Sequence, residues 1–185
     1  MTIKQNSILQ RIDLTTMKLT HLLFALSLIV VSCEEPQKTE DFHKENWASR
    51  KIDISHKSEL VTGTSYLSIY SQIYSISQHK TRNLTAMASL RNLSIRDTIY
   101  ITKASYYGTQ GHLITDYFDH AIYLAPLEST DIIIEEVDIE GGTGSNFIFE
   151  WKIPENCPEP LFEGVMNSTA GQQGLSFTTQ SIRIE

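Results

Sequence analysis

After Lys51 the apolar residues of this chain recur mainly at every second position, in short runs broken by glycine, proline and charged residues. A period of two places successive side chains on opposite faces of an extended strand, so the pattern predicts half-buried strands rather than helices. "LTAMASLRN" sets Leu84, Ala86, Ala88 and Leu90 on one face. "DTIYITKASYY" is β-branched and aromatic, "GTQG" ends it as a turn, and "HLITDYF" reads as the returning arm of a hairpin. "AIYLAPLES" gives a short strand stopped at Pro126. "TDIIIEEVDI" begins as a buried apolar run and turns acidic, and "NFIFEWKIP" sets Phe147, Phe149 and Trp151 on one face. "LFEGVM" and "GLSFTTQSIRIE" close the chain.

One segment is ambiguous. "SYLSIYSQIYSI" has Tyr66, Ile69, Tyr70, Ile73 and Tyr74 at helical spacing, yet it is built of Tyr, Ile and Ser, which favours a strand. The expectation is a strand over Thr64–Ser71 followed by a turn of helix. With about eight or nine short strands at regular spacing and turn signals between them, the pattern predicts an all-β domain over residues 52–185, an antiparallel β-sandwich, Ig-like in general shape. No internal repeat and no second domain boundary is visible.

The glycines of "DIEGGTGSNFIFEW" raise the one motif question. A phosphate cradle needs a strand before the glycines and a helix after them, because the helix N-terminus holds the anion. Here an alternating aromatic strand follows, and Phe147 stands where the last glycine of G-x-G-x-x-G belongs. The stretch reads as a hairpin loop with glycines at positive φ and closely packed backbone. The functional alternative is an interaction loop that offers Asp138, Gly141, Gly142, Gly144 and Asn146 to a partner.

Upstream of the domain lies an address. Lys18 precedes the ten-residue apolar run Leu22–Val31. Ten residues of helix cover about 15 Å, half of a bilayer's hydrocarbon core, so the run is too short to span and has the form of a secretory signal. Val30-Val31-Ser32-Cys33 resembles the lipobox of bacterial lipoproteins. That resemblance implies a signal peptide over residues 17–32, cleavage before Cys33, and acyl chains such as palmitate carried on Cys33; several acyl chains on one residue make a lasting anchor. Translation is expected to start at Met17, with residues 1–16 absent from the protein made in cells. Residues 33–51 are charged and aperiodic and read as a flexible tether. Glu34 and Glu35 resemble the surface-export signals of some Bacteroidota lipoproteins; a plain solvated linker is the other reading.

Charge narrows the partners. The net charge of the 185-residue chain is −7; residues 1–32 hold three basic and one acidic residue, so the rest carries 12 basic and 21 acidic residues and a net charge of −9. An acidic surface repels phosphate backbones, which argues against nucleic-acid binding. With Cys33 lipidated only Cys157 remains, in the proline-bracketed "PENCPEP", beside Glu155 and Glu159. That setting predicts an inert loop cysteine and no intrachain disulfide. His43, His56, His79, His112 and His120 form no zinc motif. His112, Asp116 and His120 share a strand face, but four strand residues span about 13 Å, too far for a shared ion. Asp131, Glu135, Glu136, Asp138 and Glu140 read as a solvated strand edge, since they lack the spacing of a calcium loop. No nucleophile elbow and no Cys-x-x-Cys pair is present. No catalytic residue, metal ligand or cofactor is assigned.

From about Tyr66 to Ile184 the chain resembles the bacterial family called domain of unknown function 3124. The resemblance is carried by "YSQIY" (70–74), "SLRN" (89–92), "YYGTQG" (106–111), "APLES" (125–129), "DIEGGTGSNFIFEW" (138–151), "EGVM" (163–166) and "QGLSF" (173–177). Ser68 stands where the family pattern leads one to expect a proline. The resemblance implies a small exported bacterial protein and no particular activity. Together these readings point to a lipid-anchored binding or interaction module of the cell envelope, in the outer membrane, with the membrane as one partner through Cys33 and an envelope protein or glycan as another. Contact would fall near Gly141–Asn146 and Gly171–Gly174. A metal-handling lipoprotein using His112 and His120 and an envelope hydrolase are the alternatives.

Overall fold

The computed structural model describes residues 45–169 and 174–185. Cys33 and the rest of the leader lie outside the described residues, as does most of the Gly171–Gly174 stretch. The domain is all-β and every strand pairing is antiparallel. The strands are β1 (Leu60–Ser68), β2 (Gln72–Ser75), β3 (Ser77–Asn83), β4 (Thr85–Arg91), β5 (Ile99–Tyr107), β6 (Leu113–Asp116), β7 (Ile122–Leu124), β8 (Ser129–Ile134), β9 (Asn146–Pro154), β10 (Leu161–Ser168), β11 (Leu175–Gln180) and β12 (Ile182–Arg183). There are thus twelve strands among the described residues, more than the eight or nine expected. Six form a sheet in the order β12-β1-β9-β5-β6, with β7 also on β5; four form a second sheet, β11-β10-β4-β8; and β2 and β3 pair alone.

The alternation does what it predicts. Leu84, Ala86, Ala88 and Leu90 are fully buried, and so are Phe147, Phe149 and Trp151. The two larger sheets share one core. Tyr106, Phe147 and Phe149 stack in sequence at 4.9 and 5.3 Å between ring centroids. Phe149 then stacks on Phe162 of the second sheet at 4.1 Å, so the aromatic column crosses the sandwich. Each such side chain contributes about 1.5–3 kcal/mol on burial. Gly63 lies opposite Trp151 in the β1–β9 ladder, and a Cβ there would run into the indole ring. The Trp151 Nε1–H is satisfied by Ser65 Oγ at 2.9 Å.

Three expectations are corrected. The first strand begins at Leu60 rather than Thr64 and stops at Ser68, and a strand follows it instead of a helical turn. That strand, β2, returns as β3 through Ile76, which takes φ 69°. The tether ends earlier than residue 51. Trp47–Arg50 form a 3-10 turn, Trp47 packs on Phe118 at 5.2 Å, and Ile52 N–H donates to Ala121 O at 3.0 Å.

Strand register defines two ends. Pro154 of β9 faces Leu60, and Arg91 of β4 faces Ser129; this end receives the chain at Glu45 and is called proximal. Asn146 faces Ser68 and Tyr107, and Ala86 faces Ile134, at the distal end. Eight steps of β9 separate the two ends by about 27 Å.

Candidate functional site

The glycine loop is at the distal end, and it is no hairpin. It links β8 of the second sheet to β9 of the first, so it is a crossing between sheets. Local turn chemistry is the same in both cases, which is why the sequence pattern reads as a hairpin.

Its backbone is used internally. Gly142 sits at φ 73°, a conformation that costs glycine little. Its N–H donates to Ile139 O at 3.1 Å, and its carbonyl accepts from Gln72 N–H at 3.0 Å and Ser71 Oγ at 3.3 Å. The Gly141 carbonyl accepts from Thr109 N–H at 3.0 Å and Thr109 Oγ1 at 2.8 Å. The Gly144 N–H donates to Thr109 Oγ1 at 2.9 Å. Ser145 closes the knot: its carbonyl accepts from Ile69 N–H at 3.0 Å, and its hydroxyl donates to Ile69 O at 2.8 Å and accepts from Tyr106 Oη at 3.3 Å. A Cβ on Gly141 would collide with the Tyr106 hydroxyl. Asp138 is exposed and accepts from Glu140 N–H at 3.1 Å, while Asn146 is half-buried at the start of β9.

The structure therefore brings Gly141, Gly142 and Gly144 together with Thr109, Tyr106, Ser145 and Ser71, none of which the sequence pattern singles out as a site residue. Asp138 and Asn146 bracket the knot. Burial pushes the Tyr106 phenol up, and its bond with Ser145 pulls it partly back; Tyr117, packed beside it, is pushed up to about 12 by burial. Both phenols stay neutral near pH 7; Tyr106 donates to Ser145 and Tyr117 packs on Phe147 at 5.7 Å.

The proximal end has its own knot. Asn92 Nδ2 donates to Leu124 O and Ala125 O at 3.0 and 2.9 Å, and its backbone N–H donates to Glu128 O at 2.9 Å. Arg50 pairs with Glu45 at 2.8 Å and with Glu128 at 2.7 Å, and Glu45 also accepts from Thr130 Oγ1 at 2.7 Å. Burial alone would raise the carboxyls of Glu45 and Glu128, but the hydrogen bonds and charge of Arg50 hold both below the usual range. Cys157 is free and buried, and burial pushes its thiol up.

The histidines are not gathered. The His112 ring lies against Gly108. His120 spends Nδ1 on Asp119 at 2.9 Å and Nε2 on Trp47 O at 3.2 Å. Among the described residues no three His, Cys, Asp or Glu side chains are placed to hold a metal ion, and no helix is long and apolar enough to cross a membrane.

Comparison with known proteins supplies a family. The pattern of the family "Protein of unknown function (DUF3124)" matches residues 62–184. The chain belongs to that family. The motifs that carry the likeness converge in space: "YSQIY", "YYGTQG" and "DIEGGTGSN" meet in the distal knot, and "SLRN" meets "APLES" in the proximal one. They are contacts that hold the fold. No curated protein is matched. The crystal structure of Thermotoga maritima 1070 is similar at a TM-score of 0.40 and 11% identity, over 65% of this chain and 94% of that one.

Proposed function

We propose that this DUF3124 chain is a lipid-anchored binding or interaction module of the cell envelope, held through Cys33 in the outer membrane and meeting an envelope protein or glycan at its distal end. One observation carries the contact surface: large apolar side chains stand in water around the distal knot. Ile76 is 94% exposed and Val137 81%, with Tyr74 and Ile139 exposed beside them. Folding gains nothing from leaving such groups in solvent, whereas a partner that covers them does. Ile76 and Tyr74 ride on the β2–β3 hairpin, and an isolated two-stranded hairpin is marginal in water. The knot beneath gives it a rigid base through the Gln72 and Ser71 bonds to Gly142. The Gly142 and Gly144 N–H groups are turned to internal acceptors, which favours contact through side chains on this end over capture of an anion. The anchor reading rests on the Val-Val-Ser-Cys33 sequence and the charged stretch after it.

The test is a photo-cross-linking amino acid placed at position 76 in living cells, with Glu155 at the proximal end as control. A discrete adduct from position 76 alone supports the reading. No adduct, or the same adducts from both positions, overturns it.

A further inference from the structure

At the proximal end, Leu93, Ile95 and Leu127 are exposed, Ile95 at 69% and Leu127 at 65%. They form one patch. Ser94 between the first two is turned inward and buried, and its carbonyl accepts the Leu127 N–H at 3.0 Å, which ties the two loops edge to edge. Leu127 takes φ 59°, a left-handed conformation that disfavours a side chain like leucine. The fold thus holds an apolar side chain in water at a conformational cost that glycine or asparagine would avoid. Arg50 pairs with both Glu45 and Glu128, and Arg96 stands exposed next to Ile95.

The chain reaches the domain at this same end. Glu45 bonds Thr130, three residues beyond Leu127 in sequence. Cys33 lies twelve residues upstream of Glu45, a stretch that reaches about 40 Å at full extension. We propose that the Leu93–Ile95–Leu127 patch seats on the bilayer that holds the anchor, so that the domain stands proximal end down and presents the β2–β3 hairpin and the glycine loop away from the membrane. This inference rests on the lipid-anchor reading. The tether supplies proximity, the apolar side chains enter the headgroup boundary, and Arg96 meets the phosphates. Three side chains alone bind weakly, which is why the patch works only on a chain that is already tethered.

The experiment uses the full chain, made with its leader in a bacterium, purified, and reconstituted in phosphatidylethanolamine–phosphatidylglycerol vesicles. Leu127→Cys and Ile76→Cys are each labelled with an environment-sensitive fluorophore; the unsubstituted protein, whose Cys157 is buried, reports background labelling. Aqueous iodide is expected to quench the probe at 127 several-fold less than the probe at 76, and spin-labelled lipid to quench only the former. Adding Leu93→Ser and Ile95→Ser should restore iodide access at 127 without changing the thermal melt, since both side chains are exposed. Equal iodide access at 127 and 76 overturns the proposal, as does protection that survives the serine substitutions. The mass of the Cys33 peptide separates the two ideas. Without acyl mass the anchor reading falls and this one with it; with acyl mass and a water-exposed 127, only the seating falls.

Discussion

Gly141→Ala asks whether the glycine loop is a clamp or a free display. Gly141 is not in the left-handed region, so alanine costs nothing in backbone conformation. All of the cost comes from the methyl group. It would meet the Tyr106 hydroxyl well inside contact distance, and Ser145 Oγ at 2.8 Å. Tyr106 cannot swing away, because it is 1% exposed and stacked on Phe147. Overpacking of this kind costs about 1–3 kcal/mol. Losing the Tyr106–Ser145 hydrogen bond adds about 1 kcal/mol. A total of about 2–4 kcal/mol in a domain of this size lowers Tm by roughly 10 °C. Differential scanning calorimetry reads it, with two controls. Gly111→Ala carries only a backbone penalty, since Gly111 sits at φ 79° and nothing lies within 4 Å of where its methyl would stand; it should cost about 1–2 kcal/mol. Tyr106→Phe removes the atom in the way, so the double variant with Gly141→Ala should be more stable than the sum of the two single losses predicts. A melt for Gly141→Ala within a degree or two of wild type, or strict additivity with Tyr106→Phe, would refute the clamp.

Phe149→Ala removes the middle of the aromatic column, stacked on both Phe147 and Phe162, and should destabilise by about 3–5 kcal/mol in urea unfolding. The Arg50 network gives a pH dependence with a definite sign. Glu45 and Glu128 are held below the value of 4.5 they have when unfolded, so their contribution is complete above about pH 4.5 and disappears as pH falls below it. The stability gap between wild type and Arg50→Met should therefore be wide at pH 7 and narrow at pH 3; a gap independent of pH contradicts the pairing. Ile76→Asn relieves a β-branched residue at φ 69° and should stabilise the isolated protein by about 1 kcal/mol, read as a raised Tm.

The strands that sequence pattern reads well are those with one buried face. In β9 and β10 buried and less buried positions alternate along the whole strand, and the aromatic or aliphatic residues mark it plainly. The β2–β3 hairpin escaped because β3, Ser77–Asn83, has no buried residue and so no alternation to detect. The start of β1 escaped for a related reason: Val61 and Thr62 are exposed although both pair with β9. Backbone pairing leaves no trace in polarity when neither face is covered. The glycine loop is marked by its composition, but composition carries no information about which sheet the next strand joins. That is decided by pairing between β9 and strands far away in sequence. The docking of Glu45–Arg50 was hidden for the same reason. Its partners, Glu128 and Thr130, are 78 and 85 residues along the chain from the groups they bind.

Among the described residues three non-glycine residues take positive φ: Ile76, Leu127 and Asn156. Asn156 needs no special account, because asparagine tolerates that region. The other two are large, apolar and exposed, and each stands at one end of the sandwich. Stability of the folded chain alone does not explain them, since a small or polar residue would remove both the strain and the exposed surface. The same ends carry the hydrogen-bond knots, with Thr109 and Ser145 at one and Asn92 at the other. Rigid knots and costly exposed side chains occur together because a loop that must hold a greasy residue in water needs a base that cannot relax to bury it. On the proposed reading the domain is a spacer with two working ends, one for the bilayer that holds the anchor and the other for a partner about 27 Å farther out.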